Sequence, residues 1–204
     1  MKKLSLLAVT AMLVAFASGT SAAVVYDLSS DHCTDGCGPA GTIFGNVTLT
    51  QTGANVDVLV QLNSGFGFAK TGAVDNQTFL FNGTGVVLAD ISVDAHVPVL
   101  VATNGPYTAS AIGTFAFGIG CPSCGGGLSS TFSNAFTFHV ANATIADLTG
   151  GSGSPFAADI GNLTTGRTGP IDASLHSPVP EPISLSLVGG GLLALGLFRK
   201  RFVA

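Results

Sequence analysis

Residues Asn55 to Leu62 read NVDVLVQL, with Val56, Val58, Val60 and Leu62 recurring at every second position. A period of two sends these four side chains to one face of an extended chain, so the stretch predicts a half-buried β-strand. Just upstream, Val47 and Leu49 keep the same alternation, and Gln51, Thr52, Gly53, Ala54 and Asn55 lie between the two runs. The pair predicts a hairpin closed by a glycine-containing turn.

The same grammar extends outward. Four Phe-x-Phe pairs recur, Phe66 with Phe68, Phe79 with Phe81, Phe115 with Phe117 and Phe136 with Phe138. Each pair puts two rings on one strand face, and the core is their simplest destination. Gly, Asn, Thr and Ser interrupt the apolar runs about every ten residues, the spacing of short strands in a sandwich or jelly roll. No stretch between the termini carries a helical apolar stripe with caps. Pro98 marks the strand near Val97 to Val101 as an edge or a bulge. The Gly/Ser-rich run from Leu148 to Pro155 is expected to be a loop within the domain, because Phe156 to Ile160 resumes an apolar pattern. The expectation is therefore all-β: a single antiparallel β-sandwich or jelly-roll-like domain over residues 24–177.

Charge separates this body from its ends. Lys2 and Lys3 stand at the start and Arg199, Lys200 and Arg201 at the end, leaving Lys70 and Arg167 as the only bases between, against all eleven acids of the chain. So acidic a body is unsuited to nucleic acid or an anionic lipid surface.

Both ends read as addresses. Lys2 and Lys3 precede an apolar run from Leu4 to Phe16 and then small residues to Ala23, the order of a secretory signal peptide over residues 1–23 with signal peptidase cutting after Ala23 or, one residue earlier, after Ala22. Export places the body in an oxidising compartment. Near the other end the chain is uncharged from Ile183 to Phe198, which covers roughly 24 Å as a helix and is a marginal membrane span. The basic tip Arg199, Lys200 and Arg201 would stay on the cytoplasmic side of the inner membrane. Before the span stand Pro180, Glu181 and Pro182, an extended segment of the kind a protease threads through its site.

The order Pro-Glu-Pro, short apolar helix with a glycine cluster, and basic tip resembles the PEP-CTERM sorting signal, here over residues 178–204. The resemblance implies recognition at Pro180, Glu181 and Pro182 by an exosortase, a membrane cysteine protease of bacteria that make exopolysaccharide, and removal of the helix. The body also resembles the Gly/Asn/Thr-rich β-domains carried by PEP-CTERM proteins, through NVDVLVQL and the later FAADI segment. Neither resemblance implies an activity.

Chemistry within the body is sparse. Cys33 and Cys37 (CTDGC) and Cys121 and Cys124 (CPSC) permit three disulfide connectivities. A four-thiolate zinc site and a CxxC redox site compete with disulfides, which the exported compartment favours. Asp27, Asp31 and Asp35 lie near the first cysteine pair and are the candidate Ca²⁺ ligands, against the plainer reading of a solvated acidic loop. Glu181 is the only glutamate, so a glycosidase would have to work with an Asp pair. The four histidines, His32, His96, His139 and His176, are scattered, and His139 reads as a half-buried strand residue. The absence of Trp and the presence of only two Tyr weigh against a flat aromatic sugar platform. GGSGSP from Gly150 misses the calcium repeat GGxGxD because Pro155 stands where the Asp belongs.

The resulting expectation is a non-catalytic exported protein, sorted to the cell surface or secreted into an exopolysaccharide matrix, with a structural or interaction role and no cofactor. The alternatives are a carbohydrate- or Ca²⁺-binding module and an Asp-based glycoside hydrolase.

Overall fold

The structure is a computed structural model, and it describes residues 23–176. The signal segment before Ala23, Pro180, Glu181 and Pro182, the expected helix 183–198 and the basic tip 199–201 lie outside the described residues. Among the described residues no helix is long and apolar enough to cross a membrane.

The body is built from twelve antiparallel strands: β1 (Ala23–Asp31), β2 (Gly45–Thr52), β3 (Asn55–Leu62), β4 (Phe66–Lys70), β5 (Phe79–Phe81), β6 (Ile91–Val93), β7 (Val101–Ala109), β8 (Gly113–Gly120), β9 (Gly127–Phe132), β10 (Phe136–Val140), β11 (Phe156–Asn162) and β12 (Thr168–Leu175). One short helix, α1 (Ile145–Thr149), precedes β11. The expected hairpin is present, with Thr52 opposite Asn55 and Val47 opposite Val60. Its two-residue turn starts on Gly53 at φ 63°, the left-handed region that glycine enters without steric cost.

Hydrogen bonding runs through one continuous sheet in the order β6-β10-β3-β2-β1-β12-β11-β5-β8-β7, with β4 branching from β11 to β9. Alternation gives that sheet an apolar face on almost every strand: Val56, Val58 and Val60 of β3, Phe136 and Phe138 of β10, Phe79 and Phe81 of β5, and Phe156, Ala158 and Ile160 of β11 all enter one buried cluster. The sheet curls until these faces meet, so that the ring of Phe138 on β10 lies 4.9 Å from that of Phe81 on β5. Its terminal strands β6 and β7 approach each other and are joined by residues 94–100. Pro98 lies in that connection, and Val101 opens the edge strand β7.

Two features depart from the sequence expectation. Phe115 does not join its partner Phe117 in the main core but packs with Val74, Leu80, Ala109 and Ala157 in a smaller cluster. Leu80 and Ala157 alternate away from the main core, and a 3-10 turn at Gly72–Val74 covers them, so the middle of the sheet is buried on both faces. The second departure is α1, which occupies the start of the Gly/Ser-rich run. Asp147 accepts hydrogen bonds from the Thr144 backbone N–H and hydroxyl at 2.7 and 2.8 Å, a capping arrangement that holds its carboxyl below the usual range.

Where β2 and β3 meet their loops, Gly45 lies against the neighbouring strand so closely that a Cβ there would stand 2.1 Å from the Gln61 carbonyl oxygen. Gly45→Ala must push backbone against backbone. We expect it to lower the denaturation midpoint by the equivalent of about 2 kcal/mol in a denaturant titration; a loss under about 0.5 kcal/mol would show that the strands separate easily.

Candidate functional site

Both cysteine pairs are local disulfides, Cys33–Cys37 and Cys121–Cys124, with no free cysteine among the described residues. All four sulfurs are thereby withdrawn from metal ligation. The CPSC loop is a turn between β8 and β9, with the Cys124 N–H donating to the Cys121 carbonyl at 3.3 Å, and it leads into a strand instead of the helix N-terminus that lowers a redox thiol's pKa.

The two bases of the body serve these two loops. Arg167 donates from its guanidinium to the carbonyls of Asp35 and Gly36 in the first loop. Lys70 donates from Nζ to the carbonyls of Cys121 and Cys124, at 3.1 and 3.3 Å, in the second. A tight loop points several carbonyls outward at once, and a cation satisfies them together.

The first loop is also held from within. Asp31 accepts backbone N–H bonds from Cys33 at 2.9 Å, Cys37 at 2.8 Å and Gly38 at 3.2 Å. Asn162 donates its side-chain N–H to the Cys37 carbonyl at 2.7 Å, and Gly169 leaves space that a Cβ would fill 2.7 Å from Cys33 Cα. Two of the candidate Ca²⁺ ligands are therefore engaged separately, Asp31 with backbone amides and Asp27 with His176 Nδ1 at 2.5 Å, while Asp35 stands at φ 61° in the loop tip, where its backbone carbonyl meets Arg167. Asp31 also lies within metal-ligand reach of the Cys33 and Cys37 sulfurs, but those are oxidised. Asp31→Ala removes three charge-assisted bonds at once, and we expect a loss of about 2 kcal/mol in thermal or denaturant unfolding, with millimolar Ca²⁺ leaving the native midpoint unchanged. A midpoint that rises with Ca²⁺ would restore the acidic trio as a cation site.

Three histidines meet carboxylates. His32 Nε2 lies 3.1 Å from both Ser30 Oγ and Asp172 Oδ1, which face each other across β1 and β12. Serine and aspartate thus compete for one ring nitrogen, whereas a nucleophilic relay needs them on opposite nitrogens. His139, opposite Asp57 in the register of β10 and β3, has Nδ1 2.6 Å from Asp57 and Nε2 3.0 Å from Asp94. Its hydrogen bond to Asp57 raises its pKa above the ordinary histidine value, and Asp57 is lowered by bonds from Thr52 and then His139. The ring is half-buried, as expected of a strand residue, with both nitrogens engaged.

The linkage follows from the signs. The raised His139 contributes stability that is complete below about pH 6.5 and lost as the pH rises through its higher folded value; the lowered Asp57 contributes above about pH 3.8 and is lost on further acidification. His139→Gln should accordingly destabilise by a few tenths to about 1 kcal/mol at pH 5.5, since the cluster is more than a third exposed, and by much less at pH 9. Equal effects at the two pH values would sever the ring from its carboxylates.

One carboxyl is buried without a charge partner. Asp159 on β11 is fully enclosed; its Oδ2 accepts the Thr71 N–H at 2.5 Å, and its Oδ1 has no partner. Desolvation pushes its pKa up to about 6 against the bonds from Thr71.

An open concavity lies beside the second loop. Lys70, Asn76, Gln77, Val101, Thr103, Gly120, Cys121 and Pro122 line a cleft of about 110 Å³. Gln77 lies across β8, accepting the Thr103 hydroxyl at 3.0 Å, over Gly118 and Gly120, where a Cβ would stand 2.9 and 2.6 Å from its Oε1. Composition singled out Lys70 as one of two bases in the body, but nothing in the local sequence joins it to residues 76–77, 103 and 120–122. Comparison with protein-family models, curated proteins and solved structures finds no match to this chain.

Proposed function

We propose that this chain is an exported, non-catalytic β-domain protein: a sandwich or jelly-roll-like body between a signal helix cut by signal peptidase and a transmembrane sorting helix. An exosortase-like membrane protease processes it at Pro180, Glu181 and Pro182, and the product takes a structural or interaction role at the cell surface or in an exopolysaccharide matrix. The observation that carries the reading is the pair of loop disulfides, each braced by one of the body's two bases, which suits an oxidising exterior. A non-catalytic role is further supported by Asp159. It is the carboxyl whose proton affinity is raised furthest among the described residues, toward the range of a general acid, yet its enclosure keeps it from any substrate.

Intact mass of the unreduced protein from the membrane and medium of its host tests this. The expected product begins at Val24, ends near Pro180 to Pro182 and is lighter by four hydrogens than the fully reduced chain. A species that retains Arg199 to Arg201 in both fractions overturns the sorting reading. Carbohydrate binding is the second reading, favoured by the cleft at Lys70.

A further inference from the structure

We infer that the cleft beside the Cys121–Cys124 loop is a binding site for the carboxylate of a uronic acid residue in an acidic saccharide. The inference rests on the second reading above, that the body binds carbohydrate, and it names the ligand class and the residues.

Charge is the first argument. Among the described residues all the ion pairs are between histidines and aspartates, so Lys70 carries a charge that no carboxylate neutralises. Its ammonium has three N–H donors, and two are spent on the Cys121 and Cys124 carbonyls. Those two bonds and the disulfide fix the base at the cleft wall, so a ligand would not have to immobilise a long side chain on binding. In a body so rich in aspartate, the cleft is where an anion meets an uncompensated positive charge.

The donors around it are the second argument. Gln77 Oε1 accepts from Thr103 while its Nε2 has no partner among the described residues, and the Asn76 side chain likewise makes no bond to any of them. Both residues line the cleft with Lys70. One ammonium with neighbouring carboxamide N–H groups can hold both oxygens of a carboxylate through charge-assisted and neutral bonds. Thr103, whose single hydroxyl proton is shared between Gln77 Oε1 and the Gly118 carbonyl, leaves hydroxyl lone pairs to accept from a sugar hydroxyl. Val101 and Pro122 supply the apolar wall against which the C–H face of a pyranose ring can rest. A cleft of about 110 Å³ admits the carboxylate and one edge of the ring and leaves the rest of a chain in solvent. Gly118 and Gly120 are part of the same construction, since the Gln77 carboxamide occupies the space their side chains would need.

The test is calorimetric titration of the disulfide-intact protein recovered from its host with three probes: a galacturonate trisaccharide, the neutral galactose trisaccharide and acetate. We expect the galacturonate probe to bind and the neutral one to bind at least about tenfold more weakly. Lys70→Met should reduce galacturonate affinity by about tenfold or more, the value of a charge-assisted bond. Because that variant also frees two loop carbonyls, Gln77→Leu is measured beside it; it leaves the loop anchored and should cost about fivefold. Equal binding of neutral and acidic trisaccharides, unaffected by either variant, overturns the assignment while sparing the carbohydrate reading. Binding of neither trisaccharide overturns both. Acetate binding as tightly as the trisaccharide, with the same dependence on Lys70, removes the sugar from the proposal and leaves a simple anion pocket.

Discussion

Replacing Phe79 by alanine is expected to remove about 3–5 kcal/mol of stability. Its ring centroid lies 5.8 to 6.4 Å from those of Phe81, Phe136, Phe138 and Phe156, so one side chain on the short strand β5 ties together rings from β10 and β11. The site is fully buried. A cavity there is bounded on several sides by rigid rings that are themselves locked by edge and stacked contacts, and rings so held relax little into a void. With domain stabilities of about 5–15 kcal/mol, the loss is a large share of the total. Guanidinium titration with an unchanged slope and a shifted midpoint is the expected signature, and Phe79→Leu, which keeps most of the volume, should cost less than about half as much. A loss below about 1.5 kcal/mol for the alanine variant would mean that the aromatic cluster is loosely packed.

The second large effect is a dependence on pH. Asp159 has its pKa raised from 3.8 to about 6 by burial, so the folded protein holds a proton that the unfolded chain has released between those values. Where the native state binds more protons than the unfolded state, stability falls as the pH rises. The contribution of Asp159 is intact below about pH 3.8, declines through about pH 6 and is then constant, a total loss of about 3 kcal/mol. Asp159→Asn retains a carbonyl oxygen for the Thr71 N–H and carries no charge at any pH. Its unfolding free energy should therefore lack this decline, and it should exceed the native protein's at pH 8 while matching or falling below it at pH 4. Parallel pH profiles for the two proteins would place the source of the dependence elsewhere. His139 adds a smaller decline at higher pH, so the His139→Gln variant separates the two contributions.

How far the molecule was legible in its sequence differs from residue to residue. The hairpin of Val47 to Leu62 was readable because its apolar residues fall at a single period and its turn carries glycine at the position that needs φ above zero. Phe79 and Phe138 were recognisable as core for the same reason. Phe115 was recognisable as buried too, but not its compartment, since its periodicity matches that of Phe117 and only the 3-10 turn over Leu80 and Ala157 creates a second apolar compartment for it. The helix α1 was not legible, because five residues are too few to carry a helical apolar stripe and its cap, Thr144 with Asp147, is seen only in the structure.

Period-two patterning and turn glycines determined by themselves that the body is an antiparallel all-β domain, because strand facing and turn geometry are properties of neighbouring residues. The same reading of neighbours supplied the expectation of an exported chain. Tertiary structure alone decided that the strands form one sheet curled on itself and that each cysteine pairs locally. It also placed Arg167 and Lys70 against the two loops, brought Gln77 and Thr103 to Lys70, and buried Asp159 without a counter-charge. Each of these except the local cysteine pairing depends on groups far apart in the chain, and in every case the outcome depends on geometry and solvent exclusion, which a linear pattern does not encode.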